Sequence, residues 1–180
     1  MGIRLWGVDQ AWTLFLDRDG VINRRILGGY VRNYDEFEFL EGVTDALRLA
    51  HHIFGRIVLV TNQQGVGKGL MSEGDLEELH QAMVTDIQIA GGRIDGIFAA
   101  TELATAPNNR RKPSPLMAHE AKERFPEIQF EKSIMVGDTN SDLTFGKRLG
   151  MKTAWVRNDE KVNQIPDLVV SSLYDLIHPL

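Results

Sequence analysis

Five short apolar runs alternate with stretches of helical spacing along the whole chain, and that alternation leaves few ways to fold. Ala11–Leu16, Arg56–Val60, Ile94–Ala100, Ser133–Val136 and Lys152–Val156 are short and rich in β-branched or aromatic residues, so they read as buried strands. Between the first two, Val43, Ala46, Leu47, Ala50 and Ile53 share one face of a helix over residues 42–54, with Gly55 as its C-cap. Ser72 opens a second helix, with Asp75 three residues on as a capping box. Its stripe is Leu76, Leu79, His80, Met83 and Ile87, and Gly91-Gly92 ends it. A third helix begins near Pro113 and stops before Pro126; a fourth runs to about Gly150; a short fifth covers Leu173–Ile177. Alternation of this kind predicts an α/β domain: a Rossmann-like, doubly wound, mostly parallel sheet of about five strands with helices on both faces. The 180 residues fit one domain over 1–180, and no insertion is long enough for a separate lid, so any cap is minimal.

In such a sheet, ligands bind beyond the carboxyl ends of the strands. Polar residues recur at those places. Asp17 and Asp19 follow the first strand, Thr61 and Asn62 the second, and Asp138 and Asp142 the fourth. Arg111-Lys112-Pro113 precedes the helix between the third and fourth strands. Far apart in sequence, these groups converge on one rim. Asp17-Arg18-Asp19-Gly20 alone is equally an Asp-Gly turn after a strand, with Gly20 allowing a sharp bend. Taken with the others it suits phosphoryl transfer. One carboxylate attacks phosphorus, and a second passes a proton to and from the leaving oxygen. Asp17 and Asp138 offer oxygen ligands to Mg²⁺. Thr61 offers a hydroxyl to the phosphoryl oxygens, and Lys112 a compact positive charge for the transition state.

These motifs resemble those of the haloacid dehalogenase-like phosphatases, in order and position. Leu16-Asp17-Arg18-Asp19-Gly20-Val21-Ile22-Asn23, Gly29-Tyr30-Val31, Phe37-Glu38-Phe39, Val60-Thr61-Asn62-Gln63, Arg111-Lys112-Pro113 and Val136-Gly137-Asp138 are similar to the heptose bisphosphate phosphatase group, which is close to the histidinol-phosphate phosphatases. The resemblance implies a Mg²⁺-dependent phosphomonoesterase with Asp17 as nucleophile and Asp19 as general acid/base. The metal ligands would be Asp17, Asp138 and the Asp19 backbone carbonyl. Thr61 and Lys112 would bind the transferring phosphoryl group; Asn62 and Arg111 would position phosphate or sugar; Asp142 would orient Lys112. The substrate implied is a small phosphorylated sugar, D-glycero-D-manno-heptose 1,7-bisphosphate losing its 7-phosphate. Histidinol phosphate, another small metabolite, or a non-catalytic binding module of the same fold are the alternatives. The flap over residues 28–34 and the loop over residues 63–69 would choose the substrate.

One departure from the group is plain. Its members commonly hold a structural zinc with three Cys and one His in the loop before Arg-Lys-Pro. That loop here, residues 100–110, has neither, and the chain has no cysteine at all, so no zinc is expected. The absence of cysteine also rules out disulfides. A net charge of −5 and no basic stripe argue against a nucleic-acid partner. Residues 1–10 lack the apolar core and cleavage site of a leader, and no apolar stretch approaches the ~20 residues of a membrane helix, so a cytoplasmic monomer is expected.

Several features have plainer readings. Residues 65–69 are Gly-rich, but Asn62 and Gly69 stand where a P-loop needs Gly and Ser or Thr, so no P-loop is read. Lys68 there is either a contact to a distal phosphate or part of a flexible turn. His51 and His52 read as helix-terminal, and His80, His119 and His178 as structural. Arg110-Arg111-Lys112 is a basic surface patch or a phosphate contact, and its place on the rim favours the latter.

Overall fold

The computed structural model describes residues 2–178. Met1, Pro179 and Leu180, which the 1–180 domain reading includes, lie outside the described residues. Six strands form one parallel sheet in the order β3-β2-β1-β4-β5-β6. They are β1 (Thr13–Leu16), β2 (Arg56–Asn62), β3 (Gly96–Ala100), β4 (Ser133–Gly137), β5 (Lys152–Val156) and β6 (Leu168–Val170). The first five answer the expected runs. The sixth was not expected. It is a three-residue edge strand with only Val170 buried, so it carries too short an apolar signal to stand out.

The chain steps outward from β1 to β2 and β3, then returns to lay β4 on the other side of β1. This is a topological switch point, and its crevice opens between the ends of β1 and β4. Leu16 sits opposite Val136, and the Asp17 N–H donates to the Val136 carbonyl at 3.0 Å. Asp17 and Asp138 are therefore brought side by side.

Side chains alternate across the sheet. Leu14, Leu16, Ile57, Leu59, Ile134 and Val136 pack with α1 (Val43–Ile53), α3 (Glu73–Ile89) and α6 (Leu173–Ile177). Phe15, Val58, Val60 and Met135 pack on the other face with α4 (Leu116–Arg124) and α5 (Asn140–Arg148). Both faces of β1 are fully buried, which is why it reads as a continuous apolar run rather than an alternating one. Each fully buried Leu or Val of these layers contributes roughly 1.5–3 kcal/mol.

Ser72 and Asp75 form a reciprocal capping box on α3, the Asp75 N–H donating to Ser72 Oγ at 3.0 Å and the Ser72 N–H to Asp75 Oδ2 at 2.8 Å. Gly55 is not the C-cap of α1. Phe54 takes that place in an extended conformation, and Gly55 is required because a Cβ there would come within 2.1 Å of the Gln10 carbonyl oxygen. One turn of helix, α2 (Gln64–Gly67), interrupts the Gly-rich loop and carries too few apolar residues to be read from period. The flap after β1 is tied back antiparallel: the Arg24 N–H donates to the Glu38 carbonyl at 2.8 Å and the Leu40 N–H to the Ile22 carbonyl at 3.0 Å.

Candidate active site

A cavity of about 450 Å³ opens at the switch point. Asp17, Asp19, Asp138 and Asp142 line it together with Lys112, Asn62, Arg111, Lys68, Tyr30 and Arg25. The sequence-derived candidates thus converge, with Thr61 the exception: it is fully buried behind the wall and does not line the cavity.

At the floor, Lys112 is buried between two carboxylates. Its Nζ donates to Asp17 Oδ1 at 2.7 Å and to the Val60 carbonyl at 2.7 Å. It also lies 2.6 Å from Asp142 Oδ1, an ion pair without hydrogen-bond direction, since that oxygen has no hydrogen-bond partner. Burial opposes the charge on Lys112, but Asp142 and Asp17 outweigh it, so its pKa stands above the ordinary value. Asn62 holds the lysine from 50 residues away: its Nδ2 donates to the Lys112 carbonyl at 3.2 Å and its Oδ1 accepts from the Lys112 N–H at 2.9 Å. One N–H of the Asn62 amide is thereby used on protein backbone, and the residue also lines the cavity where the resemblance would have it position phosphate or sugar.

Asp142 is fixed from its other oxygen. Oδ2 accepts from the N–H groups of Asp138 (3.2 Å) and Thr139 (3.0 Å) and from Thr139 Oγ1 (2.8 Å), a capping box at the start of α5. Two glycines let these acids approach. A Cβ on Gly20, where φ is +87°, would come within 2.1 Å of Asp138 Oδ2, and one on Gly137 within 2.1 Å of the Asp142 Cβ.

Asp17, Asp138 and Asp142 each offer an oxygen within 4.8 Å of the others. Three carboxylates face one ammonium, and burial with the neighbouring Asp142 charge pushes the Asp17 pKa well up and that of Asp138 to about 7. Asp138 Oδ1 is buried with no hydrogen-bond partner. An orphaned carboxylate oxygen in a hard, oxygen-only cluster with surplus negative charge fits a divalent cation such as Mg²⁺. Among the described residues the Asp138 carboxylate is otherwise met by Arg25 (3.4 Å to Oδ2, while the same Arg25 nitrogen reaches Glu160 Oε1 at 2.7 Å) and by Asn158 at 3.3 Å.

Asp19 occupies the opposite environment. Its carboxylate accepts from Arg18 (3.0 and 3.3 Å), Asn23 Nδ2 (2.9 Å) and Gln63 Nε2 (2.9 Å). Burial works against its charge, but the Arg18 guanidinium and the Asn23 and Gln63 donors prevail and hold its pKa below the ordinary value. Gln63 also donates to Thr61 Oγ1 at 2.8 Å, leaving the Thr61 hydroxyl proton free to donate.

Comparisons with known proteins place the chain in a family. Residues 109–176 match a family described as "HAD-hyrolase-like", HAD standing for haloacid dehalogenase. Over 134 residues the chain is 43% identical to D-glycero-alpha-D-manno-heptose-1,7-bisphosphate 7-phosphatase of Mycobacterium bovis, covering 74% of this chain and 70% of the relative. The D-glycero-D-manno-heptose-1,7-bisphosphate 7-phosphatase of Chlorobaculum tepidum is 32% identical, with 94% of each chain covered. The chain belongs to the haloacid dehalogenase-like hydrolases. Within them it is a phosphatase, a phosphoric monoester hydrolase. Among solved structures, the D,D-heptose 1,7-bisphosphate phosphatase from B. bronchiseptica, complexed with magnesium and phosphate, superposes with a TM-score of 0.80 at 25% identity over 92% of this chain and 96% of that one. The six-stranded parallel sheet is the α/β, Rossmann-like fold expected for such a phosphatase, with one strand more than expected.

Sequence reading missed four residues that hold the acids of this candidate site: Arg18, Asn23, Gln63 and Arg25. Arg18 and Asn23 lay inside a quoted motif and Gln63 beside one, but a polar residue in a loop gives no sign that it will be buried. Arg25 sits in the irregular flap, where no period places it. No helix among the described residues is long and apolar enough to cross a membrane.

Proposed function

We propose that this phosphatase removes the 7-phosphate of D-glycero-D-manno-heptose 1,7-bisphosphate with Mg²⁺, through an aspartyl-phosphate on Asp17. The observation that carries the reading is the floor of the cavity: a buried carboxyl group, Asp17, held 2.7 Å from the Lys112 ammonium beside the orphaned oxygen of Asp138. The relatives named as heptose bisphosphate 7-phosphatases support the substrate. So does the mouth. Arg111 and Lys68 line it without a carboxylate partner among the described residues, which suits a ligand with a second anionic end.

Asp17, Asp138 and the Asp19 backbone carbonyl would hold the cation, which neutralises phosphate charge and spreads the charge developing on the transferring group. Asp17 attacks phosphorus as the ester P–O bond breaks. The bonding pair goes to the leaving oxygen, which takes a proton through Asp19; that carboxylate, ionised in the free protein, receives the proton from the monoanionic phosphate ester as it binds. In the second step Asp19 takes a proton from water as the water oxygen bonds to phosphorus and the Asp17–phosphorus bond breaks. Lys112 holds the phosphoryl oxygens through both steps.

The test is phosphate release from a panel with Mg²⁺: both anomers of heptose 1,7-bisphosphate, histidinol phosphate, common sugar monophosphates and a 3′-phosphorylated oligonucleotide. Preference for one heptose anomer is expected. A faster reaction on any other ester, or none on the heptose with Mg²⁺ bound, overturns the substrate.

A further inference from the structure

Arg18 is the largest fully buried side chain in the molecule, and it stands between the two reacting aspartates in sequence. A guanidinium is always protonated and can only donate. Its Nη2 donates twice to the Asp19 carboxylate, at 3.0 and 3.3 Å. Its Nη1 lies 3.1 Å from Nε2 of His80, a residue 62 positions away on α3. Because Arg18 must donate, His80 Nε2 must accept. The ring is then neutral, with its proton on Nδ1. Burial and the adjacent guanidinium favour that state, pulling the His80 pKa down to about 3. The Arg18 carbonyl meanwhile takes the N–H groups of Val21 (3.2 Å), Ile22 (2.8 Å) and Asn23 (3.3 Å). That turn delivers Asn23 Nδ2 to the same Asp19 carboxylate.

We propose that Arg18 and His80 are positioning residues for Asp19: the imidazole orients the guanidinium, and the guanidinium fixes the rotamer of the proton-transferring carboxylate. Neither lines the cavity. The inference rests on the phosphatase reading above, and it adds a link from α3 to the proton step.

A second observation makes His80 more than filler. It sits in the apolar stripe of α3 with Leu76, Leu79, Met83 and Ile87, all buried. Among the described residues its ring meets the arginine as hydrogen-bond partner. An arginine with no exposed surface needs acceptors, since a buried charge left unpaired is costly.

Leaving groups separate this role from a structural one. An alkyl phosphate needs a proton on its leaving oxygen; p-nitrophenolate departs without one. With Asp19 misplaced, aspartyl-phosphate still forms from p-nitrophenyl phosphate, but its hydrolysis slows because water loses its base. Arg18→Met with Mg²⁺ should therefore lose about 10²-fold in kcat on the sugar phosphate, with little change in KM. It should also show a rapid burst of p-nitrophenolate, close to one per active site, ahead of slow turnover. His80→Leu should show the same burst with about a tenfold loss. His80→Gln, whose Oε1 restores an acceptor near the Nε2 position, should return to within about threefold of wild type.

Sugar-phosphate turnover by Arg18→Met at the wild-type rate overturns the proposal. So does a folded Arg18→Met without the burst, or equal losses in His80→Leu and His80→Gln. If Arg18→Met does not fold, the two His80 variants decide. If the wild-type protein turns over neither ester, the phosphatase reading has failed instead. The placement of Arg18 and His80 is then checked by ¹⁵N spectra of the His80 ring, where a protonated Nε2 would refute it.

Discussion

At the floor of the cavity the charged groups are buried against one another with negative charge in surplus, whereas at its mouth Lys68 is exposed, Arg111 is half-buried, and neither meets a carboxylate among the described residues. The floor is built by strand ends whose backbone is already fixed by the sheet, so its side chains can be desolvated and held in one geometry. The mouth is built by loops that leave long cations in water. The difference divides the labour. Desolvated, preorganised charges act on the transition state, while solvated charges act on encounter and binding. Changes at the floor should therefore fall on kcat and on stability, and changes at the mouth on KM and on salt dependence.

The strongest way to break this comparison is at Asp17. Asp17→Asn removes the nucleophile and should lower kcat by more than about 10³-fold, with the fold retained. The amide also relieves a buried carboxylate that its neighbours disfavour, so the thermal midpoint should not fall. Phosphate release and a melting curve check both halves. Residual turnover within tenfold of wild type would remove Asp17 from its role.

Lys112→Met comes next. It should cost roughly 10²-fold in kcat. It should also destabilise the metal-free protein by about 3–5 kcal/mol, because Asp17 and Asp142 are left facing each other in the interior. A mouth-like result, with raised KM and unchanged stability, would erase the distinction.

The third test concerns pH and metal. In the metal-free protein the Asp138 carboxyl titrates near 7, raised by burial and then by the Asp142 charge. In the unfolded chain it has an ordinary carboxylate value. Between about pH 4 and 7 the folded state holds a proton that the unfolded state has released, so stability falls as pH rises through that window and levels off above it. Asp17, also raised, works in the same direction. The loss should amount to a few kcal/mol. Mg²⁺ requires the ionised carboxylates, so the gain in melting temperature on adding it should be larger at pH 8 than at pH 5. Melting curves with Mg²⁺ and with EDTA decide this. An apo protein that grows more stable from pH 5 to 8 would show that the acids are not crowded as described.

Floor and mouth were also unequally legible. Asp17, Asp19 and Asp138 could be read because each follows an apolar run that can only be a strand, and strand ends in a parallel sheet share a rim. Asp142 could be placed on the same rim because it follows the fourth strand within a few residues, but its capping box with Thr139 was not read. Loop chemistry has no such ruler. Asn62 was read as a ligand contact alone, and its amide also holds the Lys112 backbone, a contact across 50 residues that no local pattern encodes. Arg18 sat unremarked inside its motif, since its side chain could equally have pointed to solvent. His80 was placed on the buried face of α3 from the helical period, but period says nothing about what a buried imidazole accepts. In the fold, β6 was missed for a related reason: an edge strand needs only one face in the core, and three residues cannot show that.

The mouth itself gives smaller effects. Arg111→Ala should raise KM for a bisphosphate about tenfold, with kcat held within about twofold. The penalty should shrink at high salt, where an exposed charge is already screened. Lys68 should matter less. Its ammonium stands 5.2 Å from the centroid of the Tyr30 ring, and Lys68 and then Gln64 draw the Tyr30 hydroxyl below its ordinary pKa. The flap and the loop after β2 are thus joined by a lysine whose charge is partly engaged by an aromatic face, an interaction worth roughly 0.5–1 kcal/mol at an exposed site. Lys68→Met keeps the length and removes the charge. It should raise KM for a bisphosphate about threefold, yet leave KM for a monophosphate unchanged, because only the second anionic end reaches the mouth. Equal effects on both substrates would place Lys68 with the floor and blur the division; no effect on either would make the loop a plain turn.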